Sequence, residues 1–123
     1  MNLLEIKIPF KTPSINHLYF NWQNRRILTK EARELKKQIK EIVDTISIDL
    51  TLNKQKLIIF VDIHENWFTK DGNIKKKDIS NREKFLIDSA FESLGLDDKQ
   101  IFTHTMRKIQ DNEEYSIIII DTI

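Results

Sequence analysis

Carboxylates and lysines cluster around one predicted helix in the stretch KKKDISNREKFLIDSAFESLGLDDKQ, residues 75–100. Asp78 precedes this helix and Asp98 follows it, while Lys84 and Asp88 are four residues apart and therefore share one helix face. If the three aspartates converge, their repulsion must be relieved by protons or by a hard divalent cation, for which oxygen ligands are suited. The pattern favours Mg²⁺, with Mn²⁺ as the alternative ion.

A cation held in this way beside a lysine could bind a phosphodiester, activate a water molecule and stabilise the negative charge that develops during hydrolysis. Basic residues also crowd the start of the helix, where they would attract the phosphates of DNA. The predicted DNA contacts among them are Lys75, Lys76, Lys77 and Arg82. This combination is typical of a metal-dependent nuclease.

A plainer interpretation of the same residues stays open at this point. Asp78 suits a turn before a helix, where the helix dipole favours a negative charge. Lys84 and Asp88 suit an ordinary exposed pair one helical turn apart, worth only about 0.3 to 0.5 kcal/mol. Asp97 and Asp98 suit a simple turn.

Composition describes a soluble globular chain. The 123 residues are 40% hydrophobic and 32% charged, which is the length and content of one domain with its own core. The start, MNLLEIKIPF, has neither a signal peptide nor a membrane-spanning pattern, and the absence of cysteine fits a reducing cytoplasm. Because the formal net charge is only +1, any binding of nucleic acid must depend on local patches.

Hydrophobic periodicity predicts the elements that position these residues. Alternating apolar residues over 4–10 predict a first strand, and helical spacing predicts a helix from its cap at Thr29 to about Ile46. The run KLIIFVDIH, residues 56–64, predicts a central strand that is buried on both faces. The segment TPSINHLYFNWQNRRILT is interpreted as a surface loop, with a small hairpin inside it as the alternative.

The second helix has marked limits. Ser80 and Glu83 have the S-x-x-E spacing of a capping box, and Gly95 followed by Leu96 suits a Schellman ending. The runs QIFTHTMRKI and EYSIIIIDTI, joined by a polar turn, predict a terminal hairpin. The order β-α-β-α-β-β predicts a single α+β domain over 1–123, with two helices on a mixed sheet of about four strands.

The stretch resembles the RusA-type family of Holliday junction resolvases. The family signature runs D-x-D-N-x-x-K, then an aspartate four residues on, then L-D-D-x-Q after a helix. Here it reads D-I-S-N-R-E-K from Asp78 to Lys84, then Asp88, and L-D-D-K-Q from Leu96 to Gln100. Upstream, PSINHLY is similar to the family's P-S-x-N segment, so the resemblance covers most of the chain.

The resemblance implies a homodimeric, Mg²⁺-dependent endonuclease that cuts four-way DNA junctions symmetrically and acts in recombination and repair. Asp78 and Asp98 would then be metal ligands, with Asp88 as a further ligand, and Lys84 would act at the scissile phosphate. Asn16 of the P-S-x-N segment would contact DNA or the site. No membrane partner is implied.

Ser80 departs from the signature, because the family usually has a second aspartate there. A serine hydroxyl is a poor Mg²⁺ ligand beside a carboxylate, so the site either uses the remaining aspartates or is weakened. Two alternatives follow: a branched-DNA-binding protein with weakened or lost catalysis, and a protein-interaction domain, for which the near-zero net charge argues.

Other polar and aromatic residues are interpreted structurally. His64 and His104 each lie in a strand pattern and are expected to be hydrogen-bonded strand residues rather than ligands. Trp22, Trp67 and Phe68 lie in loop-like surroundings, where a dimer interface is preferred to stacking on unpaired bases.

Overall fold

A four-stranded mixed sheet forms the centre of a computed structural model, which describes residues 4–13, 19–46, 50–77 and 79–123. The strands are β1 (Leu4–Ile8), β2 (Tyr19–Trp22), β3 (Arg25–Leu28), β4 (Leu57–Glu65), β5 (Ile101–Gln110) and β6 (Tyr115–Thr122). The helices are α1 (Lys30–Asp44) and α2 (Ser80–Leu94), and short 3-10 helices span Leu50–Lys54 and Asp98–Gln100. The predicted α+β fold, a single small domain with two helices packed on a mixed sheet, is confirmed. No helix in the described ranges has the length and apolar content to cross a membrane.

The sheet order is β1-β6-β4-β5, so β4 is central as predicted. Its alternate residues Ile59, Val61 and Ile63 are buried in the core that includes apolar residues of α1 and α2. The prediction that both faces of β4 are buried is wrong, because Phe60 on the other face is 37% exposed. The helices therefore cover one face of the sheet.

The predicted terminal hairpin is also wrong, because β5 and β6 do not pair with each other. Instead β4 lies between them, parallel to β5 and antiparallel to β6. The polar turn after β5 crosses the end of β4, where the amide of Asp111 donates to the carbonyl of Glu65 at 3.0 Å. A parallel β4–β5 pair requires a long crossover, and α2 supplies it. This crossover brings α2 beside the start of β5.

A two-residue turn makes β2 and β3 a hairpin rather than the predicted surface loop. Gln23 and Asn24 have φ angles of 48° and 61°. Left-handed backbone at both central positions is the requirement of a type I′ turn, whose twist matches that of antiparallel strands. The alternative that the sequence offered is therefore the correct one.

The cap of α1 is confirmed, since the amide of Ala32 donates to Oγ1 of Thr29 at 3.1 Å. The helix ends at Asp44, two residues before the predicted limit at Ile46. Its last turn is closed by Thr45, whose Oγ1 donates to the carbonyl of Ile42 at 2.6 Å.

The end of α2 is confirmed, whereas its predicted capping box is wrong. Gly95 adopts a left-handed φ of 73°, and the amide of Leu96 donates to the carbonyl of Phe91 at 2.9 Å, as in a Schellman motif. At the start, Ser80 is the first helical residue, and the cap position belongs to Ile79. The Glu83 carboxylate lies instead 3.1 Å from the imidazole of a histidine on β5.

Candidate active site

A groove of about 530 Å³ lies between the first half of α2 and the start of β5. It is lined by Ser80, Glu83, Lys84, Ile87, Asp88, Asp98, Ile101 and His104. The crossover explains this arrangement, because the chain leaves α2 at Gly95 and returns through the 3-10 helix into β5 beside it. Of the predicted site residues, the structure thus brings Ser80, Lys84, Asp88 and Asp98 to one groove.

Lys84 and Asp88 pair across the groove wall, with Nζ 3.3 Å from Oδ2. Both side chains are largely exposed, so the pair has the geometry of an ordinary i,i+4 surface pair, as the plainer interpretation expected. Such a pair costs little to break. Lys84 can therefore leave Asp88 for an incoming phosphate, and Asp88 can leave Lys84 for a cation.

The two neighbouring aspartates of the L-D-D-K-Q segment have different surroundings. Asp97 caps the 3-10 helix: its Oδ1 accepts from the amide of Lys99 at 3.0 Å, which lowers the pKa of Asp97. Its own amide donates to Oε1 of Gln100 at 2.9 Å, which completes a capping box. Asp98, the next residue, lines the groove. The structure thus separates a structural aspartate from a candidate ligand.

Gln100 fixes this segment to the rest of the protein. It is buried, and its Nε2 donates to the carbonyls of Leu52 and Gln55 at 3.1 Å each. Because the same side chain also completes the Asp97 capping box, the turn that carries Asp98 is held by hydrogen bonds on two sides. Asp98 is therefore presented by an ordered backbone rather than by an unsupported loop.

A pair that sequence reasoning missed lies in the same groove: Glu83 Oε1 and His104 Nε2 are 3.1 Å apart. Burial raises the pKa of Glu83 and lowers that of His104, so both side chains resist carrying a charge. The sequence gives no direct signal for this pair. His104 reaches the helix side of the sheet because it lies opposite Ile59 in the β4–β5 register, and that pairing was not predicted.

A second missed feature is the buried carboxylate of Glu65, at the end of β4. Its side chain is 2% exposed and accepts from Nζ of Lys77 at 3.0 Å. The other carboxylate oxygen bonds to Nη1 of Arg82, which lies in the first turn of α2. The Arg82 guanidinium also lies over the Trp67 ring, 5.4 Å from its centre. Glu65 therefore ties the end of β4 to the start of α2.

The predicted DNA contacts occupy different environments. Lys76 is exposed and Lys75 half-buried. Lys77 bonds to Glu65, and Arg82 is only 4% exposed. An arginine with so little exposed surface suits an interior ion pair rather than a surface that meets DNA. Asn16 lies outside the described residues.

The predictions for the aromatic residues and for His64 have mixed outcomes. Trp67 is buried, and its Nε1 donates to the carbonyls of Ile63 and Ile109 at 3.1 Å each, so its predicted place in a dimer interface is wrong. Trp22 and Phe68 are exposed. His64 is hydrogen-bonded as expected, with Nδ1 3.0 Å from Oδ2 of Asp111.

The donor set fits an oxygen-seeking cation that binds together with DNA. Within the described ranges, no three histidine, aspartate or glutamate side chains are close enough to hold a metal ion by themselves. Asp88 and Asp98 bring carboxylates to the groove, and Asp78 lies outside the described residues. Mg²⁺ usually keeps several waters and uses one or two carboxylates together with substrate phosphates.

The fold and the groove define a small α+β protein in which a lysine and two aspartates line one groove. The family model described as Endodeoxyribonuclease RusA matches residues 9–120 of the 123. The chain therefore belongs to the RusA endodeoxyribonuclease family, and the resemblance seen in the sequence is confirmed. A search of curated proteins found no match. Members of this family act on branched DNA and generally depend on a divalent metal.

Proposed function

We propose that this protein is a Mg²⁺-dependent endodeoxyribonuclease that resolves four-way DNA junctions as a homodimer. One observation carries the proposal: in a chain of this family, Lys84, Asp88 and Asp98 line a single groove. We infer that the protein acts in the cytoplasm, in keeping with its lack of cysteine.

Asp98 and Asp88, together with Asp78, would hold the ion, which when bound supplies a Lewis acid and a water of lowered pKa. Lys84 would exchange Asp88 for a non-bridging oxygen of the scissile phosphate and neutralise the charge that develops on it. Ile87 and Ile101 supply the apolar part of the groove lining beside this phosphate.

The phosphates beyond the groove would meet the basic segment before α2, in which Lys76 is exposed and Lys75 half-buried. Lys75 and Lys76 supply these contacts, with Asn16 as a further predicted contact. Arg82 would make no such contact, because its guanidinium is buried against Glu65. Lys77 shares the same carboxylate, so its contribution to DNA binding is smaller than that of the exposed Lys76. Binding should weaken steeply as salt rises.

The proposed homodimer follows from the symmetry of the substrate. Resolution of a four-way junction requires paired cuts in opposed strands, and a two-fold dimer provides two identical sites. Light scattering of the protein at micromolar concentration, with and without junction DNA, tests this part. A monomer under both conditions would contradict it.

The test of the activity is to incubate the protein with a synthetic four-way junction, in Mg²⁺ and in EDTA, with linear duplex of the same sequence beside it. We expect symmetrical nicks in the junction only when Mg²⁺ is present. Lys84→Ala should lose cleavage by about a hundredfold or more, because it removes charge stabilisation in the transition state. Lys36→Ala, which removes a lysine from α1, is the matched control.

A second candidate function is supported by Ser80, which lines the groove where the family signature has an aspartate. With one carboxylate fewer, the protein could bind junctions without cutting them. The same experiment separates the two functions, since a shifted band in a gel retardation assay without nicks at any Mg²⁺ concentration would favour the binding protein.

A further inference from the structure

A carboxylate–imidazole pair in the groove has no part in the mechanism above. Glu83 projects from α2 and His104 from β5, and their Oε1 and Nε2 atoms are 3.1 Å apart. Both side chains also line the groove that contains Lys84 and Asp98. The pair therefore lines the groove in which the proposed reaction takes place, and a group there could exchange protons with the substrate.

The fold holds this pair in a defined position. Its side chains are only 12% and 25% exposed, so neither is an ordinary surface group. His104 lies opposite the buried Ile59 of β4, on the side of the sheet that faces the helices. Glu83 lies one helical turn inside α2, next to Lys84. Two separate elements thus bring a carboxylate and an imidazole within 3.1 Å of each other.

The protonation state of His104 is the one that a general base requires. Burial disfavours the charged forms of both side chains, lowering the pKa of His104 and raising that of Glu83, so His104 is neutral at physiological pH. The charged groups that face the pair are Lys84 and Asp88 from α2 and Asp98 from the 3-10 helix. The strand residue beside His104 on β4, Ile59, is apolar.

We infer that His104, held by Glu83, is a further catalytic residue that accepts the proton of the attacking water. This inference rests on the proposed nuclease function. With Nε2 placed 3.1 Å from the Glu83 carboxylate, the other ring nitrogen, Nδ1, would take the proton. The water oxygen forms a bond to phosphorus while the bond to the leaving oxygen breaks, and the leaving oxygen keeps the electron pair and takes a proton from solvent. Glu83 stabilises the imidazolium that results.

The test compares His104→Gln with His64→Gln in single-turnover cleavage of a four-way junction at saturating Mg²⁺, from about pH 5 to pH 8. His64 is the matched control because it is also a strand histidine beside a carboxylate, but it lies on the other face of the sheet. We expect the unchanged protein to slow as pH falls and His104 is protonated. His104→Gln should be slower by about a hundredfold or more and should lose this acidic decline, whereas His64→Gln should keep both.

Glu83→Gln provides a second measurement that does not depend on the fold of the His104 variant. Without the carboxylate the imidazolium is less stable, so the acidic decline should move to lower pH. The inference is overturned if His104→Gln cuts the junction at the normal rate with the normal pH dependence, or if Glu83→Gln leaves that dependence in place. If the unchanged protein does not cut the junction at any pH, the proposed function fails and the inference fails with it.

Discussion

Arg82 in the first turn of α2 donates to the carboxylate of Glu65 at the end of β4, and both side chains are almost completely buried. Lys77 bonds to the same carboxylate, so the segment that leads into α2 and the helix itself share one buried anion. Nε of Arg82 has no hydrogen-bond partner among the described residues, so the guanidinium is hydrogen-bonded there through Nη1 to Glu65.

Removal of this carboxylate should destabilise the protein strongly. We expect Glu65→Gln to lower the free energy of unfolding by about 3 to 5 kcal/mol, because it leaves Arg82 buried and without its counter-charge. The double variant Glu65→Met with Arg82→Met removes both charges and should recover most of that loss. Urea unfolding of the two variants measures the difference. Equal losses in both would show that the charge pair is not what Glu65 contributes.

The two aspartates of the L-D-D-K-Q segment form a matched pair of variants. Asp98→Asn should reduce junction cleavage by about a hundredfold or more, because it removes a carboxylate from the groove, and should leave junction binding intact. Asp97→Asn should keep cleavage, because asparagine caps helices about as well as aspartate. Cleavage rates and binding isotherms of both variants check this prediction. A greater loss of cleavage in Asp97→Asn would reverse the roles that we assign to the two residues.

Ser80→Asp should strengthen the site. The added carboxylate would line the groove and stand at the positive end of α2, where it contributes about 0.3 to 1 kcal/mol of stability. We expect a lower Mg²⁺ concentration for half-maximal cleavage, and a faster rate if the natural site is weakened. Ser80→Asn adds similar bulk without charge and is the control. The idea of a depleted site would be abandoned if aspartate and asparagine gave the same Mg²⁺ dependence.

The stability of the fold should depend on the protonation of His104. Burial lowers its pKa from the ordinary value of 6.5, so below that pH the unfolded chain binds the extra proton first. The stabilising contribution of neutral His104 is therefore present above pH 6.5 and is lost as pH falls through the folded-state pKa. Thermal melts between about pH 8 and pH 5 should show a smaller acidic loss for His104→Gln than for His64→Gln.

Local features of the sequence were sufficient where the interaction that stabilises them is also local. The Thr29 cap and the Gly95 ending involve hydrogen bonds within one turn of the helix, so a few neighbouring residues specify them. The spacing of Lys84 and Asp88 likewise fixes their shared face. The motif that identifies the family is a pattern of this local kind.

The same local reasoning failed at Ser80 and Glu83, although their spacing matches a capping box. Glu83 has two possible partners, a backbone amide nearby and His104 on a distant strand, and the structure pairs it with His104. Asp97 and Gln100 show the reverse outcome, since a capping box forms there without having been predicted. Spacing identifies residues that are able to cap, but the tertiary surroundings decide which of them do.

Strand order was decided only in the tertiary structure. Hydrophobic alternation specifies that a strand exists, but it carries no information on its neighbours, so the insertion of β4 between β5 and β6 could not be derived. That insertion aligns His104 with Ile59 and places the start of β5 beside α2. The sequence by itself determined which residues carry the family motif and where the two long helices and the strands of the main sheet lie. The burial of Arg82 on Glu65, the separation of Asp97 from Asp98 and the Glu83–His104 pair required the packed fold, because each depends on long-range contacts and on solvent exclusion.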